Sequence, residues 1–252
     1  MIDIHSHLLP GVDDGSPSVE VTLPVLERFG RDGVEVLVCT PHLHASEIES
    51  LPSDALRERL AALARVAPPK PALVMGWEIM LDQPDADLTA RHLHLGDSTA
   101  ALVEFSRMNV PESATAELFR IRTSGVIPVL AHPERYWGCT TDKVLEWRNA
   151  GAVIQMDAAM LLGRGDTAKL ARDLLELGYV DCIASDNHGD SRSLAAARDW
   201  LIELGAEEQA RLLTHGNPAR LLASEAVIPV PPLHAIENGM VGRLRELIFG
   251  RR

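Results

Sequence analysis

Apolar residues in this 252-residue chain gather into short runs parted by longer stretches of helical spacing. The runs are "VEVLVCT" (34–40), "PALVMGWE" (71–78), "AALVEF" (100–105), "GVIPVLAH" (125–132), "GAVIQMD" (151–157) and "YVDCIASD" (179–186). Runs this short and this continuous predict strands buried on both faces, and "MIDI" at the start adds a seventh. Between them, Leu56, Leu60 and Leu63; Leu118 and Ile121; Val144, Leu145 and Trp147; Leu170, Leu174, Leu175 and Leu177; and Leu194, Trp200 and Leu201 mark helices. Gly33, Gly125, Gly151 and Gly178 fall where helix C-caps belong. Ser16 or Ser18 could cap a first helix, but Pro24 would break one begun there, so it should start near Leu23 or kink. In "LTHGNPARLL" (213–222), Asn217 reads as N-cap and Pro218 as first residue of a last helix.

Strand and helix in alternation imply βα units and a parallel sheet. Seven strands exceed a simple two-half nucleotide fold and fall one short of the usual eight-stranded barrel, so the expected class is α/β, an irregular (β/α)7 barrel. "VIPVPPLHAIENG" (227–239) breaks the pattern, giving a barrel over 1–226 and a C-terminal linker and short helix over 227–252. On that helix Met240, Leu244, Leu247 and Ile248 share a face, with Arg243, Arg245, Arg251 and Arg252 adding positive charge. Packing on the barrel, self-association into a homo-oligomer, or a weak membrane-surface or kinase contact would each use that face.

With 46% hydrophobic and 24% charged residues the chain should fold, and its net charge of −12 argues against nonspecific nucleic-acid binding. Cys39, Cys139 and Cys182 are odd in number and lack a CxxC pair, which suits a reducing compartment. Without a secretory-leader pattern or an apolar stretch of membrane-spanning length, the expected location is the cytoplasm.

The chemistry lies at the strand ends. His5 and His7 follow the first strand, His42 the second and Glu78 the third; Glu104 and His132 end the fourth and fifth; Asp186 and His188 follow the seventh. In parallel α/β barrels these C-terminal ends form one rim, where active sites sit. A single histidine there proves little, but His, Glu and Asp at the same end of six of seven strands predict a metal site. Imidazoles and carboxylates without thiolate suit catalytic Mn, Fe or Zn, and this many donors imply more than one ion. "RHLHLGDS" repeats the HxH spacing at His92 and His94, but it precedes a strand and so falls at the opposite end; His44 and His215 are likewise left out.

"DIHSHLLPGVDDG", "TPH" (40–42), "GWE" (76–78), "LVEF" (102–105), "LAHPERY" (130–136) and "ASDNHG" (184–189) resemble, in order and approximate spacing, the PHP (polymerase and histidinol phosphatase) superfamily. "HPERY" and "LLPGVDDG" favour its capsule-type bacterial protein-tyrosine phosphatases over histidinol phosphatases. The resemblance, from residue 2 to about 224, implies three divalent metals, Mn foremost. It places His5, His7, Glu78 and Asp186 around one, Glu78, Glu104 and His132 around a second, and Asp14, His42 and His188 around a third. Asp13 competes with Asp14; family position favours Asp14, leaving Asp13 to bond the turn before Gly15.

The same resemblance assigns catalytic and substrate-binding roles to Arg135, with Arg192 as a second candidate. Gly189 departs from the family's asparagine, in a loop one residue shorter, which puts Arg192 in question; Arg135 could instead pair with Glu134 on the surface. The implied substrate is a phosphotyrosine protein, a bacterial tyrosine kinase controlling capsular or exopolysaccharide synthesis, with a metal-bound hydroxide attacking phosphorus. The common cysteine-phosphatase loop is excluded, because the residues six past the three cysteines are Ala45, Leu145 and His188 rather than arginine. The rivals are a small-molecule phosphatase of the histidinol-phosphate type, a phosphodiesterase, and a noncatalytic phosphotyrosine-binding scaffold.

Overall fold

In the computed structural model, which describes residues 1–233, nine short strands run parallel wherever they pair. They are β1 (Ile2–Asp3), β2 (Val36–Cys39), β3 (His42–His44), β4 (Ala72–Met75), β5 (Glu78–Met80), β6 (Ala100–Glu104), β7 (Ile127–Ala131), β8 (Val153–Asp157) and β9 (Cys182–Ala184). Two sheets result, in the orders β1-β2-β4 and β3-β5-β6-β7-β8-β9. The helices are α1 (Val19–Asp32), α2 (Ser53–Val66), α3 (Ala114–Thr123), α4 (Thr141–Asn149), α5 (Ala158–Leu162), α6 (Asp166–Glu176), α7 (Leu194–Glu203), α8 (Glu207–Arg211) and α9 (Asn217–Leu222). The result is a parallel α/β fold, as the hydrophobic pattern predicts, in which helices separate most strands but the link from β5 to β6 carries only a 3-10 turn over Arg91–Leu93.

Seven expected strands become nine because two of them are interrupted. Pro41 has no N–H for a ladder, and Gly76 admits no side chain, since a Cβ there would lie 2.8 Å from Val38 and Leu95. The pairing then resumes unshifted: Cys39 faces Met75 before the break and His42 faces Glu78 after it. At the other margin Ser6 bridges Asn187, Asp186 N donates to His5 O (3.0 Å) and His7 N to Asn187 O (2.8 Å), so the segments following β1 and β9 lie side by side.

Alternation along the strands sorts the core. Ala100 and Leu102, Ile127 and Val129, Val153, and Cys182 and Ala184 join one buried cluster with Ile2, Ile4 and Val38. Ala101, Val103, Leu130, Ile154 and Ile183 turn the other way, into the cluster that includes Leu118, Ile121, Val144, Trp147, Leu174 and Leu201 of the helices. Continuing the first parity to the C-terminal ends puts His42, Glu78, Glu104, Gln155, Asp157 and Asp186 on the inner face.

Some local expectations are corrected. Helix α1 starts at Val19 with Ser18 in the N-cap position, so Pro24 lies inside it. Burial of Val25, Leu26 and Phe29, with Thr22 Oγ1 donating to Ser16 Oγ (2.7 Å), outweighs the single intrahelical bond that proline removes. Asn217 does not cap α9, because a π-turn over Leu212–Gly216 runs straight into that helix. Its buried amide instead donates to Asp181 O and Ile228 O and accepts from Ile228 N. Leu177, assigned to an apolar face, is exposed. Gly33, Gly125, Gly151 and Gly178 all have positive φ at their helix ends. Val230 is buried and Leu233 N donates to Leu175 O, so 227–233 lie against the body; the helix expected around Met240, Leu244, Leu247 and Ile248 lies outside the described residues.

Candidate metal centre

All nine sequence-predicted donors meet at the C-terminal ends of the strands. They form overlapping groups: His5, His7 and Asp186; His5, Glu78 and His132; His42, Glu78 and Glu104; and His7, Asp14, His42 and His188. Glu78 belongs to two of these groups, with His5 and His132 in one and His42 and Glu104 in the other; His132 and Glu104 are themselves 3.9 Å apart, and His7 also reaches the outer group. His132 (φ 34°) and Asp186 (φ 46°) adopt left-handed backbone, uncommon for such residues, where the chain leaves β7 and β9.

Glu78 is the hub. Its Oε2 lies 3.3 Å from His5 Nε2, 3.2 Å from His7 Nε2 and 3.0 Å from His42 Nδ1, while Oε1 lies 2.7 Å from His132 Nε2. Asp186 Oδ1 lies 3.3 Å from both His5 Nε2 and His7 Nε2, which are themselves 3.1 Å apart. Toward solvent, Asp14 Oδ1 is 3.2 Å from His42 Nε2 and 3.6 Å from His188 Nε2. Glu104 stands 3.9 Å from both His42 and His132. Nitrogen and oxygen donors, mostly buried and aimed at common points, fit divalent cations.

The far side of three rings is held. His5 Nδ1 donates to Gln155 Oε1 (2.8 Å), His7 Nδ1 to Asp13 Oδ2 (2.7 Å) and His188 Nδ1 to Asp186 O (2.9 Å), leaving each Nε2 free to act as a donor atom. Asp13 also accepts from Gly15 N and His42 N, and a Cβ on Gly15 would lie 2.2 Å from His7 O; Asp13 braces the loop that presents Asp14. Gln155→Leu should lower metal affinity about tenfold or more, read by calorimetric titration of metal-free protein with Mn²⁺, because His5 loses its tautomer lock. Unchanged affinity would make Gln155 merely a core residue.

Burial opposes charge on His5, but Glu78 and Asp186 push it up to about 9. His7 is likewise raised against burial, by Asp13, Asp186 and Glu78. The carboxylates divide: burial works to raise Glu78, yet the imidazoles around it hold it well below the usual range, whereas burial and the nearby Glu78 push Glu104 up to about 7. Without metal, His5 is therefore protonated at pH 7 and must lose that proton to bind an ion, so affinity should rise from pH 7 to 9. Titration with Mn²⁺ at pH 7 in buffers of different ionisation enthalpy should show proton release; buffer-independent heats would contradict it.

Arg135, in the turn after β7, does not pair with Glu134. Its guanidinium bonds Asp186 Oδ2 and lies 3.5 Å from Asp157 Oδ2, while Glu134 is buried and accepts from Asp157 N. Arg192 donates to Asp186 O and to Asp190 Oδ2 (2.8 Å), so it also faces the site. A cleft of about 310 Å³ is lined by Asp14, His42, Glu78, Glu104, His132, Asp186 and His188 together with Arg135, and by Met80, Ser106, Arg107 and Met108. Sequence reasoning missed Gln155 and Asp157, the inward residues of the one strand credited with no donor, and Arg107 in an unremarkable loop. The excluded histidines stay apart: His94 is buried between Ser98 O and Leu88 O, His92 lies on a 3-10 turn before β6, His44 lies 3.4 Å from Asp82, and His215 lies 3.8 Å from Glu35. Cys39 and Cys182 are buried, and burial pushes the Cys39 thiol up to about 12.

The family model for capsular polysaccharide synthesis proteins, CpsB/CapC, matches residues 1–223. The tyrosine-protein phosphatase YwqE of Bacillus subtilis (strain 168) is 30% identical over 244 residues, spanning 92% of this chain and 95% of the relative. The tyrosine-protein phosphatase CpsB of Streptococcus agalactiae is 30% identical over 206 residues, 75% of this chain and 83% of the relative. A solved structure from work on YwqE of Bacillus subtilis and CpsB of Streptococcus pneumoniae, described as unique metal-dependent tyrosine phosphatases, superposes with a TM-score of 0.76 at 26% identity, covering 94% of this chain and 100% of that one.

Proposed function

The chain belongs to the CpsB/CapC family of capsular polysaccharide synthesis proteins, and from that premise we propose that it is a metal-dependent phosphatase hydrolysing phosphotyrosine on protein. The observation that carries the reading is the convergence of nine nitrogen and oxygen donors on Glu78, in a cleft that also holds Arg135. The activity named for relatives of 30% identity supports it.

The nine donors would hold three divalent ions, Mn²⁺ foremost, with Fe or Zn also suited to such a set. When bound, the ions supply Lewis acidity toward the phosphoryl oxygens and lower the pKa of water so that it is nucleophilic at neutral pH. Arg135 places a delocalised charge where phosphoryl oxygens gain charge. Gln155 and Asp13 keep His5 and His7 in one tautomer, and Arg192 steadies Asp186 from its outer side. We read the two sheets as seven staves of one barrel over residues 1–226, with 227–252 as an appended segment. Asp14, His42 and Met108 are exposed at the cleft mouth, which suits a tyrosine presented on a protein tail. The physiological substrate on this reading is a bacterial tyrosine kinase governing capsule or exopolysaccharide assembly, in the cytoplasm. Among the described residues no helix is long and apolar enough to cross a membrane.

The test compares kcat/KM of the Mn²⁺-supplemented protein on a phosphotyrosine peptide, histidinol phosphate and a bis-aryl phosphodiester. The peptide should be preferred. Preference for either other substrate would overturn the substrate assignment, and no turnover of any would favour a noncatalytic scaffold.

A further inference from the structure

Beside the metal cleft lies a second cavity of about 330 Å³, lined by Arg107, Arg135, Asp157, Met160, Thr167 and Arg192. Arg107 and Arg135 line both, so the two adjoin. Three guanidinium groups around one cavity is an unusual concentration for a chain of net charge −12.

Two of the three are matched within the protein. Arg135 pairs with Asp186 and Asp157, and Arg192 with Asp186 and Asp190. Arg107 has no ion-pair partner among the described residues, leaving one uncompensated positive charge at the junction of the cavities.

That charge sits on braced backbone. Trp137 N donates to Arg107 O (2.7 Å), tying the loop after β6 to the turn that carries Arg135. Buried Tyr136 ties the same loops again, donating through Oη to Ala131 O (3.0 Å) and accepting from Phe105 N (3.1 Å). The backbone at Arg107 is thereby fixed relative to the turn that carries Arg135, which lowers part of the ordering cost of recognition.

We propose that this second cavity is a specificity subsite for one carboxylate side chain, Asp or Glu, flanking the phosphotyrosine on the same peptide, with Arg107 as its selecting residue. The inference rests on the phosphotyrosine reading. A single carboxylate matches the single unpaired guanidinium, and the planar fork of arginine accepts it in two parallel hydrogen bonds.

The experiment measures kcat/KM on three phosphotyrosine peptides whose flanking residues are Glu, Ala or Lys, for the full-length Mn²⁺-loaded wild type, Arg107→Ala and Arg107→Glu. The wild type should prefer the Glu peptide over the Ala peptide by about fivefold, the scale of a partly exposed ion pair, chiefly through KM. Arg107→Ala should abolish that preference, and Arg107→Glu should reverse it toward the Lys peptide. Equal cleavage of all three by the wild type, or the wild-type order persisting in Arg107→Glu, overturns the subsite while the phosphotyrosine reading stands. Failure of the wild type on every peptide removes both.

Discussion

Glu78→Gln should lower kcat/KM on a phosphotyrosine peptide by about a thousandfold or more at saturating Mn²⁺, with loss of bound metal. Both oxygens of this carboxylate are in use, Oε2 toward His5, His7 and His42 and Oε1 toward His132. Glutamine preserves the shape, but it removes the negative charge and turns an N–H₂ toward ring nitrogens that must themselves donate to metal. His5 and His42 owe their raised affinity for protons, against burial, in large part to Glu78, so both should become easier to deprotonate in the variant. Metal binding would then release fewer protons even as it weakens, which separates loss of a ligand from general unfolding. Activity within tenfold of wild type, with full metal content, would show that Glu78 is not the shared ligand.

Arg135→Lys should reduce kcat/KM about a hundredfold while metal content is retained. The lysine keeps the charge beside Asp186 and Asp157, so the ion pair that an exclusively structural arginine would make survives in part. What it cannot reproduce is planar, two-point contact with phosphoryl oxygens, and the loss should fall mainly on kcat. Activity within about threefold of wild type would reduce Arg135 to a partner of Asp186.

The clustering of donors was legible because the strand ends of a parallel α/β fold share one rim, and the observed alternation accounts for which of them point inward. Once the inward parity of Leu102 and Cys182 is known, Glu104 and Asp186 follow two and four residues on. The count of strands was not, because Gly76 interrupts a ladder inside the run 71–78 without altering its hydrophobicity, and pairing resumes past Pro41, beyond the end of the run 34–40. Of the two alternatives for α1, a start near Leu23 is excluded: the helix begins at Val19 after Ser18, because the packing of Val25, Leu26 and Phe29 outweighs the local cost of Pro24. Asn217 shows the same limit: its sequence context matches an N-cap, but its amide is spent on Asp181 and Ile228, residues brought near only by the tertiary fold. Gln155 and Arg107 were invisible for a related reason. Neither residue type signals metal or phosphate by itself, and each acquires meaning from a neighbour far along the chain, His5 in one case and the Trp137 amide in the other.

The most direct test strips the protein with EDTA, reloads it with Mn²⁺ and follows phosphotyrosine-peptide cleavage against metal bound per chain, with His42→Ala in parallel. Activity absent from the stripped protein, restored in proportion to bound Mn²⁺ and lost in His42→Ala, is the predicted result. Undiminished cleavage by the metal-free protein, or by His42→Ala, would contradict it.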